Sequence, residues 1–329
     1  MAQQAASASG IMSMSQVLSR PPRSLWRDAW NRLIRNRAAV MGALVIGFFV
    51  LVAVLAPYLA PHNPLQINDG KGYLPPAWVK MSVTNKVGTW EFPLGTDTLG
   101  RDVLSRVIYG ARVSIVVGFL PVAIILLVGI TVGLIAGYRG GGLDNLLMRV
   151  ADIVYAFPDL LFFIIVMTAL RDTALGQLMN GLILLFAALS IVNWVGVARL
   201  VRGQVLSLKQ KEFIEASRMI GAGNLRIMLK HVLPNCLGPI IVSAAFAIPN
   251  MIITEAILGY LGIGLRPATD PKAIFITSWG ALMLDGQVSW NSQPWILLAP
   301  AVCVALVVLA FNYVGDGLRD ALDPRLAGT

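Results

Sequence analysis

Long stretches without charge constrain the fold of this chain more than any other feature. Residues 38–60 form 23 consecutive positions without a charged side chain. A helix of about 20 apolar residues crosses the hydrocarbon core of a bilayer, whereas the apolar core of a signal peptide has only about 7–15 residues. The stretch is therefore predicted to span a membrane. In all, six spans are predicted, at 38–60, 113–137, 150–170, 178–198, 236–261 and 294–315.

The composition supports an all-α integral membrane protein with six transmembrane helices. Of the 329 residues, 57% are hydrophobic and 13% are charged, whereas soluble domains have about 25% charged residues. The net charge of +9 does not indicate nucleic-acid binding, because the basic residues lie in the loops between apolar runs. Two cysteines in apolar surroundings exclude a disulfide framework.

The distribution of basic residues predicts the orientation. One set of loops, 1–37, 138–149, 199–235 and 316–329, carries 17 Lys and Arg in 100 residues, and the remaining loops carry 9 in 91 residues. Cytoplasmic loops are the ones enriched in Lys and Arg. The richer set is therefore predicted to be cytoplasmic, and with six spans both termini are cytoplasmic too.

The segment before the first span is predicted to be a cytoplasmic tail, residues 1–37. Residues 1–19 have no charged side chain and too little bulk to form a core, which favours disorder. Residues 20–37 contain six arginines, with Leu and Trp residues at helical spacing opposite them. This pattern predicts an amphipathic helix that lies on anionic membrane lipid.

The loop between the first two spans contains the run Gly95-Thr-Asp-Thr-Leu-Gly-Arg-Asp102. A helix is expected after it, leading into the second span, with Asp102 and Arg106 as an i,i+4 ion pair. The run is either a structural anchor or a contact for an external partner, and the residues alone leave both open. The candidates for the helix N-cap are Thr96, Asp97 and Thr98.

Glycines in the second span, and acidic residues in the third and fifth, are unusual for membrane helices. Gly129, Gly133 and Gly137 recur every four residues, which predicts close packing of two helix backbones. Carboxylates within a membrane normally face the bundle interior or a wet cavity. Asp159 and Glu255 are therefore candidates for the translocation path, with burial beside a polar partner as the alternative.

Asp152 and Asp159 are seven residues apart, and a continuous helix would place them on about the same face. Asp152 is expected near the inner end of its span, where water or Arg149 would neutralise it. Pro158 lies between the two carboxylates and is expected to bend the helix.

The cytoplasmic loop 199–235 is predicted to form two short helices within residues 207–233. Phe213, Ala216, Ser217 and Ile220 share one face, which the small residues and Gly221 make nearly flat. Two glycines, at 221 and 223, disfavour a continuous helix. Asn224 is placed to cap the second helix, and Pro234 is expected to end it. Such a loop is either a docking surface for another protein or an ordinary amphipathic connection.

Motifs in this loop and elsewhere in the chain resemble those of a known family. The spacing of Glu215-Ala216-Ser217, Gly221 and Pro234 resembles the EAA motif of permease subunits of ABC importers. The run from Gly95 to Asp102, followed by Arg106, is similar to the external signature of the dipeptide, oligopeptide and nickel permeases. Further stretches, such as residues 207–216 and 315–324, are most similar to the oligopeptide permease C subunits.

The resemblance implies a type I ABC importer permease fold in the bacterial inner membrane. It implies four kinds of partner: a second homologous permease subunit, two ATPase subunits, an extracytoplasmic peptide-binding protein and membrane lipid. It also implies no cofactor in this chain, since ATP and Mg would be bound by the ATPase subunits. The implied ATPase-coupling residues are Phe213, Glu215, Ala216, Ser217, Ile220, Gly221 and Pro234. The implied external-signature residues are Asp97, Gly100, Arg101, Asp102 and Arg106.

Other functional classes lack their motifs. The sequence contains no Gly-x4-Gly-Lys-Ser/Thr, no His-Glu-x-x-His and no Gly-x-Ser-x-Gly, and its two histidines, His62 and His231, fall outside the predicted spans. Neither a catalytic site nor a metal site is therefore predicted. A stand-alone channel or secondary transporter would show an internal inverted repeat, which we do not find. Oligopeptides are the predicted substrate, with dipeptides or nickel as alternatives.

Overall fold

The computed structural model describes residues 25–79, 86–270 and 273–323, and these ranges are predominantly helical. Apart from one isolated bridge between Thr96 and Asp102, they contain no β-pairing. The predicted disordered tail, residues 1–19, lies outside the described residues.

The helices are numbered in chain order over the described residues. They are α1 (Leu25–Arg35), α2 (Arg37–Leu59), α3 (Val103–Arg139), α4 (Gly141–Tyr155), α5 (Asp159–Ala169), α6 (Ala174–Gln177), α7 (Leu182–Leu208), α8 (Glu212–Met219), α9 (Asn224–Ile227), α10 (Leu233–Tyr260), α11 (Trp279–Val288) and α12 (Trp295–Leu322). A 3-10 turn, Leu178–Gly181, joins α6 to α7, and a π turn, Met228–Val232, joins α9 to α10.

Five stretches of helix are long and apolar enough to cross a membrane. They are Arg37–Leu59, Val103–Arg139, Ala174–Leu208, Asn224–Tyr260 and Trp295–Leu322. The pair α4 and α5 gives a sixth span if the two helices are counted together. The all-α integral membrane fold predicted from the apolar runs is therefore confirmed, with one span of the six broken.

The third predicted span, 150–170, is not a continuous helix. Its two halves, α4 and α5, meet at a bend of 78° around residues 156–158. Pro158 is the N-cap of α5, and proline disfavours the helical conformation in the residue before it. Asp152 and Asp159 consequently lie on different helices, so the prediction that they share a face is wrong.

Two helix boundaries also differ from the prediction, at both ends of the loop 199–235. Helix α7 continues to Leu208, because Val201 and Val205 extend its buried face by another two turns. The predicted helix from 207 therefore starts only at Glu212.

Pro234 was predicted to end the second short helix, and that prediction is wrong. It lies in the first turn of α10. Proline has no amide hydrogen to donate, and Pro234 lies where the helix changes from π to α geometry. The Asn235 side-chain amide donates to the His231 carbonyl oxygen at 2.6 Å, which satisfies a carbonyl of the preceding turn. The π turn carries the helix past the proline, and Asn224–Tyr260 forms one continuous helical stretch.

An amphipathic helix predicted within residues 20–37 is present as α1. Ala29 is buried against the bundle, whereas Trp30 and Ile34 are exposed. Asn36 separates α1 from α2 and caps α2, since its side-chain oxygen accepts the amide of Ala39 at 3.2 Å.

Among the described helices, the most extensive packing is between α3 and α7. A Cβ atom added at Gly129 would lie 2.6 Å from Val197 Cβ, and one added at Gly133 would lie 2.6 Å from the Ala198 carbonyl oxygen. A Cβ atom at Gly137 would lie 2.8 Å from Val205 Cβ. The predicted glycine stripe is therefore a backbone contact, and any larger side chain there would push α7 away.

We predict that Gly133→Val destabilises the protein, because the added side chain overlaps α7. Overpacking of this kind costs about 1–3 kcal/mol. The measurements are the yield of monodisperse protein in detergent and its unfolding temperature. The matched control is Gly47→Val, in the span α2, where an added Cβ meets nothing within 4 Å. Equal stability of the two variants would contradict the predicted packing role.

Candidate functional sites at the two ends of α3

Helices α8 and α9, with the turn between them, form a short segment. It lies beside the C-terminal end of α3, where Tyr138 is located. Residues 212–227 are called the α8–α9 segment below. Helix α8 begins after Lys211, which has an extended backbone, and carries Glu212 and Glu215 in its first turn. Acidic side chains at this end of a helix favour its formation, because the helix N-terminus carries a partial positive charge.

The turn after α8 depends on Gly221. The Gly221 amide donates to the Arg218 carbonyl oxygen at 2.9 Å, and the Ala222 amide donates to the Ser217 carbonyl oxygen at 3.1 Å. This pair of bonds is the Schellman arrangement, which needs a residue in the left-handed region after the C-cap. Gly221 has φ +78°, so its backbone conformation, and not crowding, requires glycine.

One face of the segment points into the bundle. Ile214 and Ile227 are fully buried and belong to the main apolar core. Ser217 is also buried, three residues after Ile214, and its hydroxyl donates to the Phe213 carbonyl oxygen at 2.7 Å. The prediction that Ser217 forms part of an accessible flat edge is therefore wrong, because helical spacing places it on the Ile214 face.

The opposite face of the segment is exposed and apolar. Met219 and Ile220 are 89% and 86% exposed, and Phe213 and Leu225 are exposed as well. These four residues are called the outward patch. Glu215, Ala216, Gly221 and Pro234 are also accessible. Several large apolar side chains exposed on one short segment are typical of a site that interacts with a protein or a membrane.

At the opposite end of α3, Asp97 holds a buried loop together. Its Oδ1 accepts the amides of Leu99 at 2.9 Å and Arg101 at 3.0 Å. Its Oδ2 accepts Arg101 Nε at 2.7 Å and an Arg106 guanidinium nitrogen at 2.6 Å. The same Arg106 nitrogen lies 2.9 Å from Asp285 Oδ2, on α11. The loop, α3 and α11 are thus joined by one network of charges.

Asp102 serves as the N-cap of α3. Its Oδ2 accepts the Ser105 amide at 3.0 Å and the Ser105 hydroxyl at 2.5 Å, which satisfies donors left free at a helix start. The predicted pair of Asp102 with Arg106 is therefore wrong, because the carboxylate is turned toward the cap. The predicted caps are wrong as well, since Thr96, Asp97 and Thr98 lie in the preceding loop.

The external-signature residues are mostly inaccessible. Asp97, Gly100, Asp102 and Arg106 are buried, and Arg101 is largely buried. Gly100 has φ +76°, and an added Cβ would lie 2.3 Å from the Asn68 carbonyl oxygen. These residues therefore build the loop, which favours the anchor interpretation. Within the run from Gly95 to Asp102, only Thr98 and Leu99 are exposed.

The two acidic candidates for a translocation path have opposite surroundings. Glu255 is fully buried, with the hydroxyls of Ser114 and Ser278 beside it, and neither carboxylate oxygen has a hydrogen bond of good geometry. It faces other helices of its own chain, so the structure does not place it on the wall of an open path. Asp159 is exposed in the first turn of α5, and its position on a path stays a prediction.

Asp152 pairs with a different helix from the one expected. Arg199, on α7, lies 2.8 Å from its Oδ1, where the sequence suggested water or Arg149. Nearby, Asp144 on α4 accepts two hydrogen bonds from Arg202 on α7, at 2.6 and 2.7 Å. Within the described residues, no group of three or more His, Cys, Asp or Glu side chains could hold a metal ion.

The fold and these two ends define a class: a helical integral membrane protein with a short exposed segment at one end. The chain belongs to the family of inner membrane components of binding-protein-dependent transport systems, whose model matches residues 129–328. Residues 24–76 match the model for the N-terminal transmembrane domain of oligopeptide transport permease C.

Relatives of this chain are similar over nearly their whole length. The oligopeptide transport system permease protein OppC of Haemophilus influenzae is 39% identical over 92% of this chain and 89% of its own. OppC of Escherichia coli K12 is 39% identical over 96% of both chains. The dipeptide transport system permease protein DppC of Bacillus subtilis is 38% identical over 94% of this chain and 88% of its own.

A solved structure confirms the fold. A chain of the MetNI methionine ABC transporter, in an inward-facing conformation, matches with a TM-score of 0.51 and 17% identity. The match covers 67% of this chain and 97% of that chain. The chain therefore has the fold of an ABC transporter permease.

We predict that Asp97→Asn weakens the loop, because the Arg101 and Arg106 guanidinium groups lose one of the two carboxylates that pair with them. Breaking a buried ion pair costs about 3–5 kcal/mol. Thermal unfolding and limited proteolysis of residues 61–102 provide the measurement. Asp69→Asn, in the same loop but exposed, is the control. A variant at Asp97 as stable as that control would show that the network does not hold the loop.

Proposed function

We propose that this chain is the permease subunit of an ATP-driven peptide importer, and that it couples to an ATPase through the α8–α9 segment. The observation that carries the proposal is the outward patch. Four apolar side chains are exposed beyond the end of the spans, on a segment whose other face is anchored in the core. Burying such a patch against a soluble subunit is favourable in proportion to its apolar area.

In the proposed importer, separate subunits bind ATP, form the path and deliver the peptide. This chain has no nucleotide-binding motif, so ATP and Mg are bound by the ATPase partners, which the outward patch would contact. A second permease subunit completes the path, and an external binding protein delivers the peptide at the Asp97 end of α3. The bacterial inner membrane surrounds the spans, with both termini cytoplasmic, as the basic loops favour.

The mechanism follows from how the segment is attached. ATP binding draws the two ATPase subunits together, and each carries its docked α8–α9 segment with it. Helix α9 continues through the π turn into α10, and only residues 209–211 separate α8 from α7. Movement of the segment therefore reaches two spans directly. Hydrolysis and release return the spans to their first arrangement.

Peptides are the favoured substrate class. The relatives include proteins named for oligopeptide transport and proteins named for dipeptide transport, at nearly equal identity. Dipeptides are therefore the second candidate. Uptake into vesicles that contain all subunits, with unlabelled peptides of two to eight residues as competitors, distinguishes the two. Competition by dipeptides alone would contradict the oligopeptide proposal.

We predict that the double variant Met219→Glu, Ile220→Glu abolishes binding of the ATPase subunits, because two charges would be buried in an apolar contact. Co-purification of the ATPase with the tagged permease is the measurement. The control is Val288→Glu, which alters an equally exposed apolar residue on α11. Normal recovery of the ATPase with the double variant would contradict docking at the outward patch. If the protein were a stand-alone channel, no ATPase would co-purify with the unaltered chain.

We predict that Gly221→Val reduces transport much more than Gly223→Val. Both sites are open, with nothing within 4 Å of an added Cβ, but only Gly221 has positive φ, and Gly223 has φ −67°. Strain at such a position is roughly 1–3 kcal/mol. Gly221→Asn is expected to retain part of the activity, because asparagine tolerates this conformation. Equal uptake by the two valine variants would show that the turn geometry is not needed.

A further inference from the structure

The ring of Tyr138 contacts both helices of the α8–α9 segment. Tyr138 is the second-to-last residue of α3 and is almost wholly buried. Its hydroxyl donates to Asn224 Oδ1 at 3.2 Å, at the start of α9. The guanidinium carbon of Arg218, in the last turn of α8, lies 5.6 Å from the ring centroid. One side chain of α3 therefore touches the segment on each side of its turn.

The part of α3 that carries Tyr138 is fixed to α7 and α4. Gly137 lies against Val205 and the Arg202 backbone. Lys209 Nζ, at the end of α7, donates to the Gly137 carbonyl oxygen at 3.2 Å. Arg202 also pairs with Asp144 on α4 through two hydrogen bonds. Tyr138 thus projects from a rigid base of three helices.

The segment's other anchors differ in kind from Tyr138. Ile214 and Ile227 are buried apolar side chains, and apolar burial is non-directional. A hydrogen bond weakens steeply when its angle is poor, and a cation over a ring must lie within about 6 Å of the centroid. The contacts at Tyr138 therefore fix the angle of the segment, whereas the isoleucines fix only its depth.

We propose that Tyr138 is a positioning residue that transmits movement of the α8–α9 segment to α3. The proposal rests on the coupling function proposed above. In this proposal, Arg218 contacts the Tyr138 ring of its own chain and is not part of the ATPase interface. Without the Tyr138 contacts, the segment still docks and follows the ATPase, but it pivots on its isoleucine anchors and passes less of its movement to α3 and to the helices packed against it. Hydrolysis then continues while transport falls.

The test measures the ratio of peptide transported to ATP hydrolysed by the complete importer in proteoliposomes. Tyr138→Phe removes only the hydroxyl and keeps the buried ring, and Tyr138→Leu removes the ring as well. The matched controls are Tyr109→Phe and Tyr109→Leu. Tyr109 lies near the other end of α3 and has the Arg112 guanidinium carbon 5.7 Å from its ring centroid, so it shares the helix and the type of contact.

We expect Tyr138→Phe to lower the ratio roughly two- to tenfold, the range for loss of one intramolecular hydrogen bond. Tyr138→Leu should lower it further, with ATPase binding and hydrolysis unchanged, and the Tyr109 variants should keep the ratio. A ratio unchanged in both Tyr138 variants would overturn the proposal, and so would loss of ATPase binding in Tyr138→Phe. Failure of the unaltered chain to bind an ATPase would instead overturn the proposed function.

A second measurement tests the shared bond. Asn224→Ala should lower the ratio as much as Tyr138→Phe, and the double variant should lower it no further, because both changes remove the same interaction. Asn224→Asp keeps the acceptor oxygen and should restore most of the ratio. Additive losses in the double variant would contradict transmission through this hydrogen bond.

Discussion

Backbone contact between α3 and α7 is the constraint on which the rest of the structure depends. Lipid tails are as apolar as leucine, so helices in a membrane gain little from apolar burial and associate by close packing instead. Three glycines at intervals of four residues let the two backbones meet over two turns. Helix α3 is 37 residues long, or about 55 Å, and has one candidate functional site at each end. Its fixed position against α7 therefore sets the geometry of both ends.

Charged pairs complete this framework where apolar packing ends. Arg106 joins Asp97 to Asp285 at one end of α3, and Arg202 joins Asp144 to α7 at the other. Buried ion pairs add little stability relative to apolar packing, but their directional bonds select one arrangement of loops and helices. These ion pairs lie at the two ends of the spans and suit that role. Loops lack the ridges of apolar side chains by which helices pack, so directional bonds must hold them in place.

Apolar runs and glycine spacing were sufficient to predict the class, the approximate positions of the spans and close backbone packing along α3, because these depend on features that are periodic along the chain. The errors fell where a contact depends on tertiary packing. Arg106 was paired with Asp102 four residues away, but its partners are Asp97 in the preceding loop and Asp285 on α11, and no local pattern identifies the second. Ser217 was assigned to the exposed edge, since the burial of Ile214 depends on how the segment meets the bundle. The bend at Pro158 was expected, but its size was not.

The two faces of the α8–α9 segment suit the two tasks that the proposed importer gives it. The ATPase and permease must stay bound while their relative orientation changes through the cycle. Apolar contact tolerates such changes, because it depends on buried area and not on direction, and the outward patch is apolar. Toward the bundle, movement must be passed on at a defined angle, which requires directional contacts. The Tyr138 hydrogen bond and the Arg218 guanidinium over the Tyr138 ring are on that side. A segment with these faces exchanged would bind its partner rigidly and slip against its own spans, so the arrangement fits the coupling role proposed above.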